Sequence, residues 1–259
     1  MIKTLLFFLT FLLTQNFEFE KSYKTDAIDF EIDGLGNLYL IHNNYIERIN
    51  SSNSARFRTS DMNYGNIDYL DLTNPLKPFI HYAGIGKIVV FDNTLSQQGD
   101  PIDLWSYGFT QVEMIAGSRG DAYWLWDARN SEMIRVDGSF NRLTSTGNLS
   151  VLLSKTIQPL QILERGQQVY IRDAVHGVIV LDVYGKYRTT LNLSTTQDIQ
   201  VIEDDIIYLK DRSIHILSRD WITEDVITMP ELPASRVQWF KQRCYFLLDS
   251  DTLQVYKLI

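Results

Sequence analysis

One short pattern recurs six times along this chain: an apolar residue, then Asp, Glu or Gln, then another apolar residue. It reads Ile28-Asp29-Phe30, Ile67-Asp68-Tyr69, Val112-Glu113-Met114, Leu160-Gln161-Ile162, Ile199-Gln200-Val201 and Val237-Gln238-Trp239. The polar members stand 39, 45, 48, 39 and 38 residues apart. A period near 40 residues belongs to architectures in which one supersecondary unit is copied and the copies stack. Each triplet is followed by a second apolar run with an aromatic in register, at Tyr39, Phe79, Tyr123, Tyr170, Tyr208 and Tyr245. A third run follows at 46–49, 88–91, 133–136, 178–181, 214–217 and 253–256, and a more polar fourth closes the units, as at 55–59 and 188–193. Asn43, Asp127, Asp173, Asp211 and Asp249 separate second from third runs. Such short polar side chains bond the backbone of tight turns and tolerate left-handed geometry. Helical spacing is not sustained beyond the first sixteen residues. Each unit therefore reads as a meander of four short antiparallel strands.

The second runs are almost continuously apolar, for example Ala122-Tyr123-Trp124-Leu125-Trp126 and Tyr245-Phe246-Leu247-Leu248. A strand with one wet face alternates, so these must bury both faces. Stacking units side by side does that, and each large side chain buried contributes about 1.5–3 kcal/mol. Four-stranded units of this length, repeated, resemble the blades of the β-propeller superfamily. The stretch Asp33-Gly34-Leu35-Gly36-Asn37-Leu38-Tyr39-Leu40, running on to Ile46-Glu47-Arg48-Ile49, is most similar to the NHL and six-bladed types. The Trp-Asp repeat signature is missing at the strand ends; Trp126-Asp127 occurs once. The expected fold is all-β: a propeller of six four-stranded blades in a single domain, 17–259.

A ring needs closure. The last unit ends at Lys257-Leu258-Ile259, directly after its third strand, whereas Phe17-Glu18-Phe19-Glu20 alternates like an unpaired strand. Residues 17–23 are expected to form the outer strand of the final blade. Ahead of them, Lys3 and the apolar run 5–13 have the form of a secretory signal peptide, 1–16. Such a run is too short to span a bilayer as a helix. The other reading is a buried N-terminal strand. With no further segment of membrane-spanning length, and no cysteine after the run to carry a lipid anchor, the expected mature protein is exported and periplasmic.

Composition narrows the chemistry. Lys plus Arg number 24 against 32 Asp plus Glu, a net charge of −8, which disfavours a nucleic-acid surface. A single cysteine, Cys244, excludes an internal disulfide framework, and its apolar strand implies a buried, inert thiol. The histidines, His42, His81, His176 and His215, lie outside any HExxH arrangement. Gly-x-Ser-x-Gly is absent, and Gly84-Ile85-Gly86-Lys87 reads as a turn rather than a phosphate loop.

Two sets of residues are candidates for a site. The polar column Asp29, Asp68, Glu113, Gln161, Gln200 and Gln238 would face a central channel if first strands are innermost. Its three acids could present oxygens to Ca²⁺; alternatively, the column hydrogen-bonds channel water and caps backbone groups. The aromatics Trp105, Tyr107 and Phe109, between units two and three, and Trp221, after the fifth unit, are candidate partner anchors or blade wedges.

The Asn- and Ile-rich, Ala-poor style, with the leader, resembles Bacteroidota periplasmic propellers associated with type 9 secretion machinery. That resemblance implies a non-enzymatic accessory or plug-like subunit docked on a larger envelope protein, such as an outer-membrane β-barrel. The alternatives are a Ca²⁺-dependent hydrolase or lactonase of the NHL-like type using Asp29, Asp68 and Glu113, and a carbohydrate- or ligand-binding propeller using the aromatics.

Overall fold

The computed structural model describes residues 17–59 and 64–259. The expected leader, 1–16, lies outside the described residues. Six four-stranded antiparallel sheets follow one another around a ring. Blade I comprises Asp29–Ile32, Leu38–Ile41, Ile46–Ile49 and Arg56–Arg58; blade II, Tyr69–Asp71, Phe79–Tyr82, Lys87–Val90 and Ile102–Asp103. Blade III comprises Val112–Ser118, Ala122–Asp127, Glu132–Val136 and Arg142–Asn148; blade IV, Pro159–Arg165, Gln168–Asp173, Gly177–Asp182 and Tyr187–Leu191. Blade V comprises Gln200–Ile202, Asp205–Lys210, Ser213–Leu217 and Glu224–Thr228. Blade VI takes Ala234–Phe240, Arg243–Leu248 and Thr252–Leu258, with Phe17–Lys24 as its outer strand. The fold is a six-bladed β-propeller.

First strands touch the first strands of neighbouring blades and so surround the axis. The apolar core is divided into six clusters, each lying between two adjacent blades. Strand alternation explains how one strand serves two clusters. In blade III, Tyr123 and Leu125 pack toward Phe79 and Ile88 of blade II, while Trp124 and Trp126 pack toward Ile162 and Ile171 of blade IV. A blade alone would leave both of those faces wet.

Closure follows the expected route. Phe17 pairs with Leu258, Tyr23 with Leu253 and Lys24 with Thr252, with a register shift between Phe19 and Lys21. Arg243, on the blade's second strand, clamps Glu20 with two hydrogen bonds at 2.6 and 3.0 Å. The first and last parts of the chain are thereby sewn into one sheet.

Among the described residues, helix is confined to Leu149–Leu153 and two 3₁₀ turns, Ala83–Ile85 and Leu104–Tyr107. Leu149–Leu153 is capped by the Asn148 side chain, which accepts from the Val151 amide at 2.8 Å. Four five-residue turns share one device: Asp33, Asp92, Asp137 and Asp182 each accept amides two and four residues on. The fourth residue of each is left-handed: Gly36, Leu95, Phe140 and Gly185. Gly36 is also required for space, since a Cβ there would come within 2.8 Å of the Phe240 ring.

Candidate functional site

The first strands carry the polar column to the hub, where its members divide by chemistry. The amides bind the backbone of the next blade. Gln161 donates to the Ile199 carbonyl and accepts from its amide, both at 2.9 Å. Gln200 does the same with Trp239, at 2.9 and 2.7 Å. Gln238 accepts from the Ile32 amide at 3.1 Å and donates to the Phe30 carbonyl at 3.3 Å. Each carboxamide has one donor side and one acceptor side, which a strand edge presenting N–H and C=O can satisfy together.

The acids of the column do not share a partner. Asp29 accepts from its neighbouring Phe30 amide at 2.8 Å and lies 3.2 Å from Arg236 Nε. Asp68 accepts from the Ala83 amide at 2.8 Å, within its own blade. Glu113 is exposed and occupies the register shift between Val112 and Met114. Among the described residues, no group of three or more His, Cys, Asp or Glu is arranged to hold a metal ion.

A second constellation fills one end of the hub: Glu31, Asp198 and Arg236, each two residues from a column member, with Arg172 from the second strand of blade IV. Arg236 Nη2 donates to Glu31 at 2.7 Å and to Asp198 at 2.9 Å, and Arg172 donates to the other Asp198 oxygen at 2.7 Å. Gln238 adds a 2.6 Å bond to Glu31. Burial pushes the Glu31 carboxyl up to about 7, against the opposing pull of Arg236. Burial also raises Asp29, again opposed by Arg236. Three carboxylates thus face two guanidiniums, leaving one surplus negative charge when all are ionised. The period-two spacing from Asp29 to Glu31 and from Gln238 to Arg236 is the signal that would have placed them here.

The aromatic candidates separate as well. Trp105 and Tyr107 are half-exposed, at 50% and 51%. The Trp105 indole lies against Gly86, where an added Cβ would come within 2.3 Å of its Nε1. Tyr107 stacks on Phe140 at 4.9 Å. Phe109 is buried in the core between blades II and III, with the Arg142 guanidinium over its ring, so it packs rather than anchors a partner. Trp221 packs half-buried against the cluster between blades IV and V and sits in the turn between the last two strands of blade V. Sequence reasoning missed a further apolar group at the approach to blade IV. Val151 and Leu152, on the short helix, and Val175, in the turn after the blade's second strand, are strongly exposed. Leu160, displaced by a register shift in its first strand, is half-exposed.

At the turns joining first to second strands, blades II, III and IV enclose a cleft of about 330 Å³. Two buried carboxylates hold its floor together. Asp71 accepts from the Gly117 amide and the Thr73 amide, both at 2.8 Å. Glu164 accepts from the Ser118 hydroxyl at 2.6 Å and the Trp124 indole at 2.7 Å. The two acids tie blade II to III and III to IV, as the glutamines tie IV, V, VI and I.

No family model matches the chain, and no curated protein matches it in sequence. Solved structures do match in fold. Catalytically inactive virginiamycin B lyase from Staphylococcus aureus with quinupristin is 14% identical, covering 89% of this chain and 80% of that one, at a TM-score of 0.59. BamB from Moraxella catarrhalis is 9% identical, covering 93% and 100%, at 0.57. A chain of the nidogen/laminin complex is 14% identical, covering 80% and 81%, at 0.57. At such identities the likeness is one of fold alone: a lyase and a chain of a protein complex both superpose on this ring.

Proposed function

We propose that this protein is a non-enzymatic interaction propeller of the cell envelope, exported by its leader and docked on a larger protein. The observation that carries the reading is the exposure of Trp105, Tyr107, Val151, Leu152 and Val175 on the connections into blades III and IV and the turns beside them. Large apolar and aromatic side chains gathered on loops of a rigid scaffold are the usual anchors of protein interfaces. The nidogen/laminin structure provides an instance of this fold within a protein complex. Among the described residues no helix is long and apolar enough to cross a membrane, so attachment through a partner suits the reading.

Within it, the partner is an outer-membrane β-barrel of a secretion complex, of the type 9 kind, to which the propeller serves as an accessory or plug-like subunit. The test is co-purification from detergent-solubilised envelopes of the source cell, with wild type and the Trp105→Ser/Tyr107→Ser variant side by side. A stoichiometric barrel retained by wild type and lost by the variant supports the proposal. Recovery of the propeller as a free monomer from intact envelopes overturns it.

A further inference from the structure

We propose that the cleft between blades II, III and IV is a binding site for an oxyanion group, carboxylate or phosphate, on a small ligand. This site stands apart from the apolar docking residues and does not rest on them. Its charged lining is balanced on paper, with Lys77, Arg119 and Arg165 against Asp71, Asp121 and Glu164. Accessibility breaks the balance. Asp71 and Glu164 are 3% and 5% exposed, and their oxygens are committed to donors within the ring.

Of the accessible charges, three are cations and one, Asp121, is an acid. The Arg165 guanidinium uses Nη1 on its own Glu164 carbonyl at 2.9 Å and on the Thr73 hydroxyl at 3.5 Å. Among the described residues, its Nε and Nη2 have no hydrogen-bond partner. Arg119 touches Gln167 at 3.2 Å and stands 3.8 Å from Glu164. Lys77 lies 3.6 Å from the exposed Asp121 carboxylate, too long for a strong hydrogen bond. The mouth therefore offers more donors than acceptors, on a protein whose net charge is −8. A guanidinium with two adjacent free N–H groups matches the paired oxygens of a carboxylate or phosphate. Gly117, Gly120 and Gly166 line the cleft without side chains, which leaves its interior open. Gly117 is fixed as glycine, since a Cβ would meet Asp71 Oδ1 at 2.8 Å.

The test is calorimetric titration of the full mature protein with inorganic phosphate, with citrate and with a hexaglutamate peptide. Saturable binding of phosphate or citrate, weakened about tenfold in Arg165→Gln, is the expected result. Asp121→Asn, which releases Lys77, should tighten the same titration severalfold. Both substitutions are at exposed positions, and unchanged melting verifies the fold. Binding of the peptide alone would move the site to the protein-docking class and overturn the small-ligand assignment. Absence of saturable binding, or binding indifferent to both substitutions, overturns the site itself.

Discussion

Gln238 joins the last blade to the first: its carboxamide accepts from the Ile32 amide and donates to the Phe30 carbonyl, across more than 200 residues of chain. Hydrophobic clusters supply most of the adhesion between blades, but they are non-directional. The glutamines fix the register of one blade on the next. Replacing Gln238 by Leu removes both bonds and the 2.6 Å bond to Glu31, and leaves a buried N–H and C=O unpaired, a cost of at least about 2–4 kcal/mol. Glu113→Gln, at an exposed position without a partner among the described residues, should stay within about 0.5 kcal/mol of wild type. Urea unfolding of the two variants measures the contrast, and equal midpoints would refute the clamp.

Closure by the N-terminal strand makes a stronger demand. A chain that begins at Thr25 loses Phe17–Lys24 from blade VI, together with the Glu20–Arg243 pair. It also uncovers the outer flank of Thr252–Leu258. Thermal melting should drop by at least about 10 °C. A truncated chain that melts like one beginning at Phe17 would show that the ring holds without that strand.

The architecture was legible because the repeat and the two-face burial constrain each other. Ile46–Ile49 was bounded to the residue, and 133–136 and 214–217 fell one residue short of the strands observed. What the sequence reading missed has two physical causes. The helix Leu149–Leu153 is a single turn or so, too short to develop a periodic stripe, and its signal was the Asn148 cap alone. The hub pairs depend on which residues of neighbouring blades meet at the axis. Arg236 and Asp198 are far apart in sequence, and their meeting follows from ring geometry, not local pattern. The polar column was found for the same reason that it divides in role: repetition marks a position in the blade, while Asp and Gln at that position have different bonding needs.

Glu31 makes stability depend on pH in a direction opposite to most acids. Its folded value, about 7, lies above the ordinary 4.5, so the native state holds a proton between those limits that the unfolded chain releases. Its favourable contribution is full below the unfolded value and is lost as pH rises through 7. Because the side chain is partly exposed in the channel, solvent screening reduces the effect to about 1–2 kcal/mol. His81 works against it. Burial lowers its value from 6.5 to about 4, so it disfavours folding as pH falls through that window. The comparison of wild type with Glu31→Gln cancels the histidine. The variant should gain in relative stability between pH 5 and 8, and parallel melting curves across that range would exclude Glu31 as the titrating group.

Trp105, Tyr107 and Phe109 are close in sequence yet should respond differently to substitution. Phe109 is a core residue between two blades, and Phe109→Ala should cost about 3–5 kcal/mol. Trp105 and Tyr107 expose half of their surface and rest the remainder on Gly86 and Phe140. Changing both to Ser should cost only about 1 kcal/mol, while weakening capture of the proposed envelope partner at least about tenfold. The measurement is paired: thermal melting for the fold, and retention on the detergent-solubilised partner for binding. If the double variant unfolds as readily as Phe109→Ala, the two rings are wedges that hold blades II and III together. If it melts normally and binds normally, the docking surface lies elsewhere on the disc, with Val151, Leu152 and Val175 the next positions to change.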